Sequence, residues 1–207
     1  MAEQVFPTKG NLINAKKTLG LCRLGYDLMD RKRNILIREM MSLIEKAKSL
    51  RGEIEDTYKT AYAALQEANI TLGVIDQIAE AVPIENGISL VSHSVMGVEL
   101  PTLKLNTTAP LGLYYDLEST NGTLDVAYLK FNEVKTLTVE LAEVETSVIR
   151  LAQAIQKTQK RANALGNVQI PQMQKTIKSI DEVLSERERE EFSRLKVIKA
   201  QKEKEEA

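Results

Sequence analysis

Counted in sevens from Leu12, one line of apolar residues runs through the first third of this chain: Leu12, Ala15, Leu19, Cys22, Tyr26, Met29, Arg33, Leu36, Met40, Leu43, Ala47, Leu50, Ile54, Thr57, Ala61, Ala64, Ala68, Thr71, Ile75, Ile78. Only Arg33, Thr57 and Thr71 break it. An apolar repeat of 3.5 residues underwinds a helix into a left-handed supercoil, because a straight helix would carry its stripe off the partner within a few turns. A helix of that length reaches about 100 Å at 1.5 Å per residue, so its partner must be nearly as long. The same chain supplies one. A second seam reads Ala127, Lys130, Val134, Leu137, Leu141, Val144, Val148, Leu151, Ile155, Thr158, Ala162, Leu165, with only Lys130 and Thr158 out of pattern. Two long helices joined by a reversing segment predict an all-α fold, a long antiparallel intramolecular two-helix coiled coil.

Composition agrees with a thin core. The 207 residues contain no Trp, three Phe and six Tyr, few for a globular domain but natural for layers of Leu, Ile, Val and Ala. The formal net charge of −1 argues against a basic nucleic-acid binder and against an acidic tail protein. Cys22 is the only cysteine, so no internal disulfide is possible, and a reducing cytoplasm is the expected compartment. Apolar runs are a few residues long, far short of the roughly 20 that span a bilayer, and the N-terminal stretch lacks a signal-peptide core. A soluble chain with no direct membrane insertion is expected.

The pattern divides one elongated domain, 1–207, into three parts. A coiled-coil helix is predicted over 11–80, with Asn11 as its cap. An irregular segment with a short β-hairpin is predicted over 81–117, where Pro83, Pro101 and Pro110 interrupt the heptads. Ile88, Leu90, Val91, Val95 and Met96, then Val98, Leu100, Leu103 and Leu105, are strand-like, with Gly97 at the turn. A second helix is predicted over 118–205, capped by Ser119, Thr120 or Asn121 and kinked or broken near 166–171 by Gly166, Asn167 and Pro171. Beyond the break, Met173, Ile177, Ile180 and Leu184 resume helical spacing. Placing residue 80 opposite 118 sets Arg33 against Leu165 and sets Lys16 and Lys17 against Asp181 and Glu182.

No catalytic set emerges. His93 is the single histidine, with no cysteine or second histidine to complete a zinc site, and no Gly-Lys-Ser/Thr phosphate loop occurs. No cofactor is expected. The basic residues Lys9, Lys16, Lys17, Arg23, Arg31, Lys32, Arg33 and Arg38 read either as a solvated surface or as a docking stripe. No aromatic residues interleave them, which weighs against nucleic acid. The run Glu186, Arg187, Glu188, Arg189, Glu190, Glu191 reads as an exposed helix supported by i,i+4 charges. On these features alone a non-rotary coiled-coil adaptor or scaffold is the leading reading.

The motifs add a resemblance. Phe6-Pro7-Thr8-Lys9-Gly10-Asn11-Leu12, then Arg23-Leu24-Gly25-Tyr26-Asp27-Leu28-Met29 and Lys32-Arg33, resemble the opening of the D subunit of the V-type/A-type rotary ATPases. Val95-Met96-Gly97-Val98-Glu99-Leu100-Pro101 is similar to that family's short strand segment. Lys160-Arg161-Ala162-Asn163-Ala164-Leu165, Ile170-Pro171, Thr176-Ile177, Glu188-Arg189-Glu190-Glu191 and Arg194-Leu195-Lys196 resemble its C-terminal signature. Three positions depart from the family's usual pattern: Tyr26 stands where histidine is frequent, Asp30 where lysine is, and Gly166 where glutamate is.

The resemblance implies a non-catalytic central-stalk rotor subunit that transmits torque between ATP hydrolysis or synthesis in a hexamer of A and B subunits and ion transport, such as proton transport, by a membrane ring. It implies a small F subunit gripping the stalk and a socket subunit above the ring, with the complex on the cytoplasmic face of the membrane. By the same analogy Pro7, Thr8, Lys9, Lys16, Lys17, Arg187, Arg189 and Arg194 are the expected hexamer contacts. Gly25, Arg161, Asn163, Leu165, Ile170, Pro171, Glu188 and Glu190 are the family-motif positions. Val95, Met96, Gly97 and Val98 form a hairpin tip with an expected regulatory role.

Overall fold

A computed structural model describes residues 6–84, 86–105, 114–116, 118 and 120–205. Its elements are α1 (Lys9–Leu72), α2 (Asp76–Ala79), β1 (Ile88–Val95), β2 (Val98–Leu105), α3 (Gly122–Ala164), a π-helical turn (Leu165–Gln169) and α4 (Ile170–Glu205). The fold is the expected one, a long helical hairpin pair with a small two-stranded antiparallel sheet. The chain divides into two units, Met1–Arg33 with Gln156–Ala207, and Asn34–Ile155.

The seam is real in both helices. The buried residues of α1, namely Leu36, Leu50, Ile54, Ala61 and Ala68, all lie on it. Ala127, Val134, Val144, Leu151, Thr158 and Ala162 are buried on the second seam. The helix ends differ from the heptad count. α1 stops at Leu72 because Gly73 adopts φ +81°, a left-handed conformation open to glycine, while its N–H still closes the last turn on the Asn69 carbonyl at 3.0 Å. Ile75 and Ile78 keep the apolar pattern without belonging to α1: Ile75 is buried with Ala68 and Leu124, and Ile78 packs on that cluster. At the other end Thr8, not Asn11, caps α1, its Oγ1 accepting the Asn11 N–H at 3.2 Å.

Of the three candidate caps for the second long helix, Asn121 serves. Its Oδ1 accepts the Leu124 N–H at 3.4 Å, and its Nδ2 donates to Thr71 Oγ1 at 2.9 Å, tying the start of α3 to the end of α1. Thr120 instead donates to the Asp116 carbonyl at 2.8 Å. Ser119 and Pro110 lie outside the described residues. Anchoring the count at residues 80 and 118 also displaces the register. Arg33 meets Gln159, not Leu165, and Leu165 lies against Gly25. Glu182 pairs with Lys178 of its own helix at 3.9 Å, rather than with Lys16 or Lys17.

The expected break near Pro171 is a π-turn. The Ile170 N–H donates to the Leu165 carbonyl, five residues back, and helical dihedrals continue on both sides. The physical reason is a phase step. The second seam advances by threes and fours to Leu165, then by eight to Met173. In a continuous α-helix that extra residue would swing Met173 and all that follows about 100° off the seam. A π-turn holds one residue more than an α-turn and absorbs it. Ile180 accordingly stays buried.

Near the chain reversal, Tyr115 donates its hydroxyl proton to Asp125 Oδ1 at 2.5 Å and sets its ring edge-on to Tyr128. Burial first, then the Asp125 hydrogen bond and charge, push the Tyr115 pKa up to about 12. A folded-state value above the unfolded value of about 10 gives stability that is fully present below pH 10 and lost as pH rises through 12. Tyr115→Phe is therefore expected to flatten the fall of the thermal midpoint between about pH 10 and 12. Parallel thermal melts check this, and an equal fall in both proteins would remove Tyr115 from the account.

Candidate docking surfaces

The hairpin is the first surface. Val95 and Val98 flank a two-residue turn in which Met96 (φ 52°) and Gly97 (φ 75°) both take positive φ, the type I′ geometry whose twist matches the strands. Leu100 is buried with Leu36 and Leu151, and Val95 and Val98 pack on that cluster. Counting from the turn, Glu99, Pro101 and Leu103 direct their backbone groups away from β1. That edge is closed by α3. The Glu99 carbonyl accepts from Arg150 Nη1 at 3.1 Å, the Leu103 N–H donates to Glu143 Oε2 at 2.7 Å, and Pro101 has no N–H to offer. The side chains of Leu90, Val91 and Met96 face solvent, so the hairpin is anchored through β2 and exposes β1 and its tip. Among the described residues His93 bonds within the sheet, Nδ1 to Thr102 Oγ1 at 2.9 Å.

A second surface is the terminal stretch of α4. Every residue from Ser185 to Lys202 is exposed, Phe192 (69%) and Leu195 (64%) included. The predicted contacts Thr8, Lys9, Lys16, Lys17, Arg187, Arg189 and Arg194 are all exposed, and Pro7 is half-buried. Their charges are partly engaged. Lys9 pairs with Glu188 at 2.9 Å, which raises the lysine pKa through the hydrogen bond and then the charge. Arg189 pairs with Glu186 and Arg194 with Glu190 along the helix. Such exposed pairs contribute little to stability and exchange readily for other partners.

Of the motif residues, Gly25, Asn163, Leu165, Ile170 and Pro171 lie near a polar network that the periodicity did not disclose, whereas Glu188 and Glu190 lie farther along α4 and pair with Lys9 and Arg194. Arg33, the charged exception on the first seam, donates to Gln159 Oε1 at 2.8 Å and pairs with Asp30 at 2.5 Å, while Gln159 donates to Asn163 Oδ1 at 2.7 Å. An isolated seam cation is costly, and here a carboxylate and an amide share its charge. Gly25 packs against Leu165, Tyr26 lies over Gly166, and Ile170 and Pro171 are half-buried at the start of α4. Arg161 is exposed. Tyr26, Asp30 and Gly166 thus fall within one neighbourhood.

Two further surfaces escaped the sequence reading. Leu21, Leu24 and Leu28 form a second apolar line on α1, spaced by three and four residues and more than half exposed. At the chain reversal Ile70 (83%), Val74 (85%) and Ile84 (86%) are exposed beside an apolar recess of about 240 Å³ lined by Leu65, Ile75, Tyr115 and Phe131. Both were visible as apolar residues off the seam. Among the described residues no group of three or more His, Cys, Asp or Glu is placed to hold a metal ion, and no helix is long and apolar enough to cross a membrane.

A family model described as the ATP synthase D subunit matches residues 11–200. The chain is 44% identical over 200 residues to a V-type ATP synthase D subunit of Thermotoga neapolitana, covering 94% of this chain and 97% of that one. It is 38% identical over 201 residues to an A-type ATP synthase D subunit of Pyrococcus furiosus (95% and 94%). It is 36% identical over 197 residues to an A-type ATP synthase D subunit of Methanosphaera stadtmanae (93% and 92%).

Proposed function

Because the chain belongs to the D-subunit family of V-type and A-type ATP synthases, we propose that it is the non-catalytic rotor subunit of the central stalk, carrying torque between an A/B catalytic hexamer and a membrane ion ring. The single observation that carries this reading is the exposed stretch Ser185–Lys202, a helix of apolar and charged side chains none of which is buried. A helix polar and apolar by turns, with Phe192 and Leu195 left in solvent, fits one that works inside a ring of other subunits. Lys9, Lys16, Lys17, Arg187, Arg189 and Arg194 are the cations that meet the hexamer. Leu21, Leu24 and Leu28 support contact with surrounding subunits such as F, and the apolar reversal around Ile70, Val74 and Ile84 supports a socket subunit at that end.

Coupling in such a machine is a difference in free energy. Each catalytic site shifts conformation with shaft angle only if its states contact the shaft unequally, and the dependence is reciprocal. The protein is peripheral, on the cytoplasmic face, held there by its partners. Purification of this chain at native expression level, with quantitative mass spectrometry, is expected to recover A and B subunits at about three copies each per copy of the chain, with one F subunit. Recovery as a lone dimer or with unrelated proteins would replace the rotor by a coiled-coil adaptor.

A further inference from the structure

The π-turn holds the one residue by which the two stretches of the second seam are out of phase, and its surroundings decide where that surplus sits. A Cβ built on Gly166 would stand 2.9 Å from Tyr26 Cε2 and 3.2 Å from Cδ2, so the aromatic ring occupies the space a side chain there would need. Farther along, Pro171 lacks the N–H that a continuous α-helix would direct to the Asn167 carbonyl, and its ring would crowd that carbonyl. The ring of Tyr26 on one side and the pyrrolidine on the other favour the π geometry between them. Within the turn itself nothing is buried, and Asn167, Val168 and Gln169 are exposed. The helices on either side are held differently: Thr158 and Ala162 before it, and Ile180 after it, are buried.

We propose that this turn is a twist joint, pinned by Tyr26 and Pro171, at which the helix yields locally while the seam beyond it keeps its phase. A surplus residue can be stretched or tightened within 165–171 without moving Met173, Ile177, Ile180 and Leu184 off the seam, because those residues are already in phase on the far side. Torsion applied to the terminal stretch is taken up here first. The use of the joint under load rests on the rotor reading. The joint itself does not.

The test uses the full chain, and the chain within its purified complex. Hydrogen exchange followed by mass spectrometry is expected to show amides of 166–170 exchanging about tenfold faster than those of 155–160, and faster still in Tyr26→Ala. Deleting Val168 together with Pro171→Ala removes the surplus and the helix breaker. In a Cys22→Ser background, a cysteine replacing Ile180 then stays protected from thiol reagents and one replacing Ser179 stays reactive, as in the parent. A deletion in an ordinary coiled coil would reverse that pattern, since every later residue would turn by about 100°. Reversal, or equal exchange at 166–170 and 155–160, overturns the joint. In the complex, angular fluctuation of a stalled shaft is expected to rise in Tyr26→Ala and fall in the deletion variant. Unchanged fluctuation alongside the expected exchange and thiol results overturns only the mechanical use.

Discussion

A chain ending at Leu184 is expected to fold and assemble yet to lose ATP-driven ion transport on the order of tenfold, the scale of a coupling free energy of 1–3 kcal/mol. Folding survives because, among the described residues, every side chain from Ser185 to Lys202 is exposed, and the Lys9–Glu188 pair, 76% and 61% exposed, contributes little. What is lost is the surface that the proposed hexamer contacts. Reconstituted complex in vesicles, assayed for ATP hydrolysis and ion uptake side by side, separates the two. Transport at the parent level would show that torque is delivered elsewhere along the chain. Loss of helical signal in the isolated truncation beyond that of the removed helical residues would show that the terminal stretch supports folding.

Leu151→Ala is expected to cost about 3–5 kcal/mol, the upper range for a leucine removed from a filled site. Leu151 is fully buried, and so is Leu36, with Leu100 at 1% exposure completing the cluster. The substitution opens a cavity shared by α1, α3 and the hairpin, so both the helix pair and the docking of β2 weaken at once. Urea unfolding gives the stability change, and limited proteolysis at 88–105 gives the detachment of the hairpin. Leu129→Ala, half exposed on the same helix, should change stability by less than about 0.5 kcal/mol. A similar loss in both variants would mean that the Leu36–Leu100–Leu151 cluster has no special place in the core.

Much of this fold is legible in the spacing of apolar residues, since a two-helix core is one-dimensional and burial follows the seam directly. The register is not, because it depends on where each helix ends. The positive φ of Gly73 stops α1 at Leu72, and Asn121 starts α3 by bonding Thr71, so a count begun from residues 80 and 118 sets Arg33 against the wrong partner. Strand alternation in β2 is blurred because Leu100 and Pro101 are both buried: β2 meets α3 with its edge as well as a face. The step of eight from Leu165 to Met173 did announce the π-turn, but proline two residues earlier suggested a kink instead. For the docking surfaces the sequence supplied the right charges without their engagements. Charge spacing along α4 shows possible i,i+4 pairs, whereas the Lys9–Glu188 and Arg33–Gln159 contacts depend on a register that only three dimensions provide.

The closed edge of the hairpin has a metric side. Glu143 and Arg150 are seven residues apart on α3, about 10.5 Å of helix rise, while the backbone groups they hold, at Leu103 and Glu99, are four residues apart on a strand, about 13 Å. The two lengths agree within the reach of a glutamate and an arginine. The strand therefore works as a splint laid along two turns of helix, fastened at both ends and wedged at the middle by Leu100. Bending or unwinding α3 between those fastenings changes one length and not the other, so it must break a fastening. Stiffness in this stretch comes from a ruler of extended chain lashed to the helix.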